Sequence, residues 1–70
     1  MLSYAAQEYL SKMLGVYLKD GETTVFRSSD IGTDPLVWKE LENAGCVKLF
    51  PQFGTVEYDP YANDMFYPDD

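Results

Sequence analysis

Residues 36–50, LVWKELENAGCVKLF, contain the clearest local structural signal in the chain. Apolar side chains in the first half recur at spacings of three and four, which places them on one face of an α-helix: Val37, Leu41 and Ala44. Gly45 follows as the left-handed residue on which helices commonly end, and the segment after it alternates with the period of a strand. The stretch therefore predicts a helix over residues 34–44 that turns directly into a strand over residues 46–50.

A β-hairpin is predicted downstream of this helix. Residues 51–54, PQFG, separate the strand from a second alternating segment over residues 55–59, and proline and glycine are typical of such a connection. The predicted pairing brings four apolar side chains together on one face: Val47, Leu49, Val56 and Tyr58. Pro60 ends the second strand, because proline lacks the N–H that the hydrogen-bond ladder needs.

Upstream, an amphipathic helix is predicted over residues 3–19, with Ser3 as its N-cap and Gly21 at its end. Its apolar stripe comprises Ala6, Tyr9, Leu10, Met13, Leu14, Tyr17 and Leu18. Gly15 lies inside this helix and has two readings, a close backbone contact or a glycine that is merely tolerated.

Between the two long helices, residues 23–26, TTVF, predict a short strand and residues 28–32, SSDIG, predict one helical turn. Thr33 or Asp34 then caps the next helix. The residues expected in the core are Ala6, Leu10, Leu14, Leu41, Val47, Leu49 and Val56. Trp38 is expected to pack in the core or at its edge.

This order of elements resembles a winged helix-turn-helix domain, and Leu41, Gly45 and Val47 lie where that family's second helix runs into its wing. The resemblance covers residues 3–59. It implies an α+β fold with a winged-helix-like domain over residues 1–59, followed by an acidic aromatic tail over residues 60–70. The sequence departs from the family pattern in its helix that would read DNA, which offers one base, Lys39, against three acids: Asp34, Glu40 and Glu42.

The negative charge is concentrated at the C-terminal end. Residues 1–56 hold seven acids and five bases, whereas residues 57–70 add five acids and no base, which together give the net charge of −7. Acids favour solvation and aromatics favour burial, so a segment that interleaves them is typical of a surface that binds a partner or covers its own domain. With the hairpin tip included, the predicted partner-binding residues are Phe53, Glu57, Asp59, Tyr61, Asp64, Phe66, Tyr67, Asp69 and Asp70.

The five bases are scattered singly along the chain, so direct binding of DNA is not expected, because phosphate contacts need a positive face. An acidic surface instead attracts proteins with basic clefts, including those that handle nucleic acids. Adaptation to high salt is an alternative source of acidity, but it would spread the acids over the whole chain. For Phe53, a contact with a partner and packing back under the hairpin remain open.

Residues with catalytic chemistry are few. The chain has no histidine and one cysteine, Cys46, which lies at a helix C-terminus where the dipole does not favour a thiolate. The nearest carboxylates, Asp30 with Asp34 or Glu40, suit caps and solvated faces better than acid–base catalysis. No phosphate-binding, dinucleotide-binding or calcium-binding motif is present in the sequence. The chain is therefore predicted not to be an enzyme and to need no cofactor or metal.

Seventy residues allow one domain with a modest core, so a partner or a homodimer would add useful stability. No run of about eighteen apolar residues occurs and no signal-peptide pattern is present, which predicts a soluble, cytoplasmic protein without a membrane partner. A single cysteine excludes an internal disulfide.

Two functions follow from these observations. The first is a small acidic inhibitor or adaptor that binds a basic, nucleic-acid-handling protein and mimics the charge of DNA. Small phage and mobile-element proteins that block host enzymes are similar in size and acidity, a similarity of composition that names no family. The second is a subunit of a winged-helix transcription regulator that binds DNA weakly or through a partner.

Overall fold

The computed structural model describes residues 1–62 of the chain. They form a small α+β domain whose elements, in chain order, are α1 (Tyr4–Asp20), β1 (Val25–Arg27), α2 (Ser28–Ile31), α3 (Pro35–Asn43), β2 (Val47–Phe50) and β3 (Thr55–Tyr58). The three helices and the three-stranded antiparallel sheet are consistent with a winged-helix-like layout. The predicted fold class is confirmed.

The sheet has the order β1-β3-β2, so β3 is its central strand. The predicted hairpin register is confirmed, since Val47 lies opposite Tyr58 and Leu49 opposite Val56. The first strand was predicted two residues too early. The Asp20 carboxylate accepts hydrogen bonds from the backbone N–H groups of Glu22 and Thr23, which holds this segment in a turn before β1 begins.

The core lies between the helices and one face of the sheet. Its buried residues are Ala6, Leu10, Met13, Ile31, Val37, Trp38, Leu41, Cys46, Val47, Val56 and Tyr58. Two of the residues predicted to be buried, Leu14 and Leu49, are only half-buried and pack against the margin of this core. Leu18 belongs to the predicted apolar stripe but is 66% exposed, because the buried positions of α1 end at Met13 and its last turns extend past the core.

The helix ends explain why the chain turns where it does. Ser3 caps α1 by accepting a hydrogen bond from the backbone N–H of Ala6 at 3.1 Å, and Asp34, rather than Thr33, caps α3. At the end of α3, Gly45 has φ 79°, and the N–H groups of Gly45 and Cys46 donate to the carbonyls of Glu42 and Leu41. This pair of bonds closes the helix and directs the chain into β2.

Two glycines have opposite surroundings. A Cβ added to Gly15 would meet nothing within 4 Å, which excludes the close backbone contact considered for it. A Cβ added to Gly32 would overlap the ring of Tyr9. That ring packs edge-on against Trp38, with the centroids 4.9 Å apart, and its hydroxyl accepts a hydrogen bond from the backbone N–H of Asp34. The close approach between α1 and the segment before α3 therefore occurs at Gly32.

Candidate protein-binding surface

Phe53 lies at the tip of the β2–β3 hairpin and is 72% exposed. Two consecutive turns build the tip, since the N–H of Phe53 donates to the carbonyl of Phe50 and the N–H of Gly54 donates to that of Pro51. The side chain does not fold back under the hairpin, which was one of its two expected positions. The structure thus leaves a large apolar side chain in solvent on a short hydrogen-bonded turn.

The tip is also attached to α2. The carbonyl of Gly54 accepts two hydrogen bonds from Ser28, one from the backbone N–H at 3.0 Å and one from Oγ at 3.2 Å. Ser28 is the first residue of α2, where the backbone N–H has no partner inside the helix. The tip carbonyl therefore satisfies a donor at the start of this helix.

Glu57 and Asp59 lie at the opposite end of the sheet, and both are exposed. They line a groove of about 530 Å³ together with Thr24, Gly45, Val47, Lys48, Tyr58 and Pro60. Glu57 lies between Val25 on β1 and Lys48 on β2, so a base adjoins the two acids. Asp59 accepts a hydrogen bond from the backbone N–H of Tyr61 at 2.9 Å, which makes this carboxylate part of the turn after β3.

Tyr61 is 73% exposed but is attached to the domain. Its hydroxyl lies 3.0 Å from the hydroxyl of Tyr17 on α1, and the two rings meet edge to face with centroids 6.4 Å apart. Tyr61 therefore contributes to the packing of the chain after β3 as well as to the surface.

The predicted partner-binding residues are thus divided between two places. Phe53 lies at the hairpin tip, and Glu57, Asp59 and Tyr61 lie toward the base of the sheet. Phe53 and Asp59 lie beyond the two ends of β3, whose four residues span about 13 Å at the usual rise of a strand, and Glu57 is the third of those residues. The other predicted residues, Asp64, Phe66, Tyr67, Asp69 and Asp70, lie outside the described residues.

The exposed side of α3 is acidic and partly apolar. Lys39 forms an ion pair with Glu42, with 3.7 Å between Nζ and Oε1. Leu36 is 78% exposed. The sequence pattern did not predict an exposed leucine here, because Leu36 lies at the margin of the apolar face of α3. A leucine directly after the proline that begins the helix was the available signal.

Glu40 joins α3 to the start of α1. Its carboxylate accepts hydrogen bonds from Oγ and from the backbone N–H of Ser3, at 2.7 and 2.6 Å. These bonds hold the pKa of Glu40 below its ordinary value, the Oγ bond having the larger effect and the backbone bond the next. The pKa of Asp20 is lowered likewise, first by the hydroxyl of Thr23 and then by the backbone N–H groups of Thr23 and Glu22.

Three side chains considered for catalysis have structural roles. The thiol of Cys46 is buried, Asp34 caps α3 and Glu40 binds Ser3. Within residues 1–62 no group of three or more histidine, cysteine or acidic side chains is arranged to hold a metal ion. None of the helices in this part of the chain has the length and apolar character needed to cross a bilayer.

Comparison with protein-family models, with curated proteins and with solved structures finds no match for the chain. The arrangement of its own residues is therefore the basis for the function proposed below.

Proposed function

We propose that the protein is a small acidic inhibitor or adaptor that binds a basic, nucleic-acid-handling protein, with Phe53 as an apolar anchor and carboxylates that take the place of DNA phosphates. The observation that carries this proposal is the charge of α3. In a winged-helix-like layout this helix occupies the position of the DNA-reading helix, yet its one base, Lys39, is paired with Glu42.

Charge favours a basic partner over a nucleic acid. The net charge of −7 repels phosphates at long range and attracts a positive cleft, which raises the rate of association with a basic protein. Five of the acids lie in residues 57–70, and two of these, Glu57 and Asp59, border the groove at the base of the sheet.

Shape favours a protein contact at the hairpin tip. Aromatic side chains are enriched among the residues that dominate protein interfaces, and burial of one from solvent is a large favourable contribution. Phe53 is presented on a turn whose backbone is hydrogen-bonded, so less conformational freedom is lost when a partner pocket closes around it.

A second function, a subunit of a winged-helix transcription regulator, is favoured by the order of the helices and strands alone. The two proposals differ in their ligand. An inhibitor binds a basic protein and leaves duplex DNA unbound, whereas a regulator retards duplex DNA at low salt, with an affinity that falls steeply as salt is added.

The first arm of the test is electrophoretic retardation of random-sequence duplex DNA at low micromolar protein in about 50 mM salt, a condition that strengthens phosphate contacts. We expect no retarded band. A band that disappears as salt is raised would favour the regulator and overturn the inhibitor.

The second arm is quantitative capture from the source cells with three immobilised proteins: the wild type, Phe53→Ala and Tyr4→Ala. Tyr4 is a matched control because it is also an aromatic side chain, 80% exposed, on α1. We expect a basic nucleic-acid-handling protein, held less at higher salt, retained by Tyr4→Ala and lost by Phe53→Ala. Capture that survives Phe53→Ala would remove the tip from the proposal, and capture of acidic proteins only would overturn it.

A further inference from the structure

We infer that Ser28 is a positioning residue for the hairpin tip, and that α2 fixes the direction of Phe53 relative to α1 and α3. The inference rests on the proposed function for its biological meaning. The positioning role of Ser28 can be tested on the free protein, without a partner. A failure of this role is therefore distinguishable from a failure of the proposed function.

The N-terminal end of α2 is attached to the tip. Ser28 donates two hydrogen bonds to the carbonyl of Gly54, the residue directly after Phe53. Gly54 has φ 66°, a left-handed conformation, and its own N–H closes the second turn of the tip. A tip carbonyl that points at Ser28 therefore sets the orientation of the Gly54–Thr55 peptide, one residue beyond Phe53.

The C-terminal end of α2 is attached to α1 and α3. Lys12 on α1 donates from Nζ to the carbonyl of Ile31 at 3.1 Å, at the C-terminal end of α2. Trp38 on α3 donates from Nε1 to the carbonyl of Gly32 at 2.8 Å. Ile31 itself is buried in the core. A helix of four residues is thus held at its last residue by α1, at its C-cap by α3, and at its first residue by the tip.

The physical consequence is preorganisation. A hairpin tip without such bonds samples many directions, and a partner that binds its aromatic residue must first select one of them. Two hydrogen bonds to one carbonyl restrict this freedom before the partner arrives. Ser28 acts through Gly54 on the backbone of Phe53 and does not itself form the contact surface.

The chain offers a graded series of variants to test this. Ser28→Ala removes the Oγ donor and keeps the N–H. Ser28→Pro removes both donors, and proline is tolerated in the first turn of a helix. The preceding residue, Arg27, already has φ −74° and ψ 122°, a conformation that proline accepts in its neighbour. Ser28→Thr keeps both donors, and Ser29→Ala is the control at an adjacent exposed serine.

The measurement is ¹⁵N relaxation of the backbone amides of residues 52–54 in the full chain. We expect order parameters of about 0.85 in the wild type, Ser28→Thr and Ser29→Ala, a decrease in Ser28→Ala, and values of about 0.6 in Ser28→Pro. Amides of Tyr61 and α1 should not change, which separates a local effect from a loss of the fold. Unchanged order at residues 52–54 in both Ser28→Ala and Ser28→Pro would overturn the inference, as would an equal decrease in Ser29→Ala.

Binding supplies the second readout once a partner has been captured. Loss of one hydrogen bond that orders the tip should weaken binding by about twofold to tenfold in Ser28→Ala, with recovery in Ser28→Thr. Wild-type affinity in a variant whose tip has become mobile would overturn the positioning role. Loss of capture by Phe53→Ala with no effect of Ser28→Ala would leave the proposed function standing and reject Ser28.

Discussion

Phe53 and Tyr61 are exposed to nearly the same extent, 72% and 73%, yet their contacts with the rest of the domain differ. Tyr61 is bonded through its side chain to Tyr17 and through its backbone to Asp59. Within residues 1–62, Phe53 is held through the backbone hydrogen bonds of its turn, and its side chain is exposed. Exposure alone therefore does not identify a binding residue. The proposal assigns the partner contact to Phe53 because, among the described residues, the contacts of Tyr61 involve its side chain and those of Phe53 its backbone.

The regions around Phe53 and Tyr61 share one core, so a substitution that unfolds the core should affect both. Leu41 is fully buried on α3, and Leu41→Ala should cost about 2–5 kcal/mol, enough to unfold much of a domain this small. Urea unfolding followed by circular dichroism measures the change. Leu36→Ala, on the exposed side of the same helix, is the matched control and should change stability by less than about 0.5 kcal/mol. Equal losses in the two variants would contradict the described core.

The next expected effect lies at Gly32, the residue directly after α2. Gly32→Ala should destabilise the protein by about 1–3 kcal/mol, because the new Cβ overlaps the Tyr9 ring, which Trp38 and the N–H of Asp34 hold in place. Gly15→Ala is the matched control. It adds the same methyl group to open space inside a helix and should stabilise by about 0.5–1 kcal/mol. Thermal unfolding of both variants gives the sign, and stabilisation by Gly32→Ala would refute the close approach.

A third prediction separates the two aromatic residues directly. Tyr17→Phe removes the hydroxyl that Tyr61 contacts and should lower the free energy of unfolding by about 0.5–1 kcal/mol without affecting capture of the partner. Phe53→Ala should change stability by less than about 0.5 kcal/mol and abolish capture. Denaturation and capture are measured on the same preparations. The reverse result, a stabilising role for Phe53 and a binding role for Tyr17, would exchange the roles assigned to the two regions.

The smallest expected effect concerns the link between α1 and α3, which lies outside both regions. Because the pKa of Glu40 in the folded protein lies below its ordinary value of 4.5, the bonds with Ser3 contribute stability that is fully present above that pH. This contribution is lost as the pH falls through the folded pKa. The difference in urea midpoint between wild type and Glu40→Gln should therefore be constant from pH 7 to pH 5 and shrink at lower pH. A difference that grows on acidification would contradict the bonds to Ser3.

Much of the fold could be predicted from local patterns. The helix over residues 34–44, its end at Gly45 and the pairing of Val47 with Tyr58 were all confirmed, because caps, periodicity and turn residues act over a few positions. The same patterns overestimated the burial of Leu14, Leu18 and Leu49. A stripe identifies the face of a helix or strand that is apolar, but not how far along the element the core extends.

Less of the candidate surface than of the fold could be predicted from the sequence. For Phe53, the structure excludes packing back under the hairpin, whereas its contact with a partner stays a prediction. Leu36 was missed, and the paired state of Lys39 follows only from its contact with Glu42. The tip and the base of the sheet were predicted to act together in binding, which stays a prediction; Phe53 and Asp59 lie beyond opposite ends of β3. Neither their distance nor the attachment of Tyr61 to Tyr17 has a signature in the order of residues.

By itself, the sequence determined the charge asymmetry, the positions of the two long helices and the register of the hairpin, since each depends on composition or on neighbours within a few residues. Tertiary structure alone decided the contacts between distant residues. Glu40 with Ser3 and Gly54 with Ser28 lie 37 and 26 positions apart, and a Cβ at Gly32 would overlap the Tyr9 ring, which α1 places over it. These contacts depend on how the packed core places whole elements against one another, and their geometry exists only after the chain has folded.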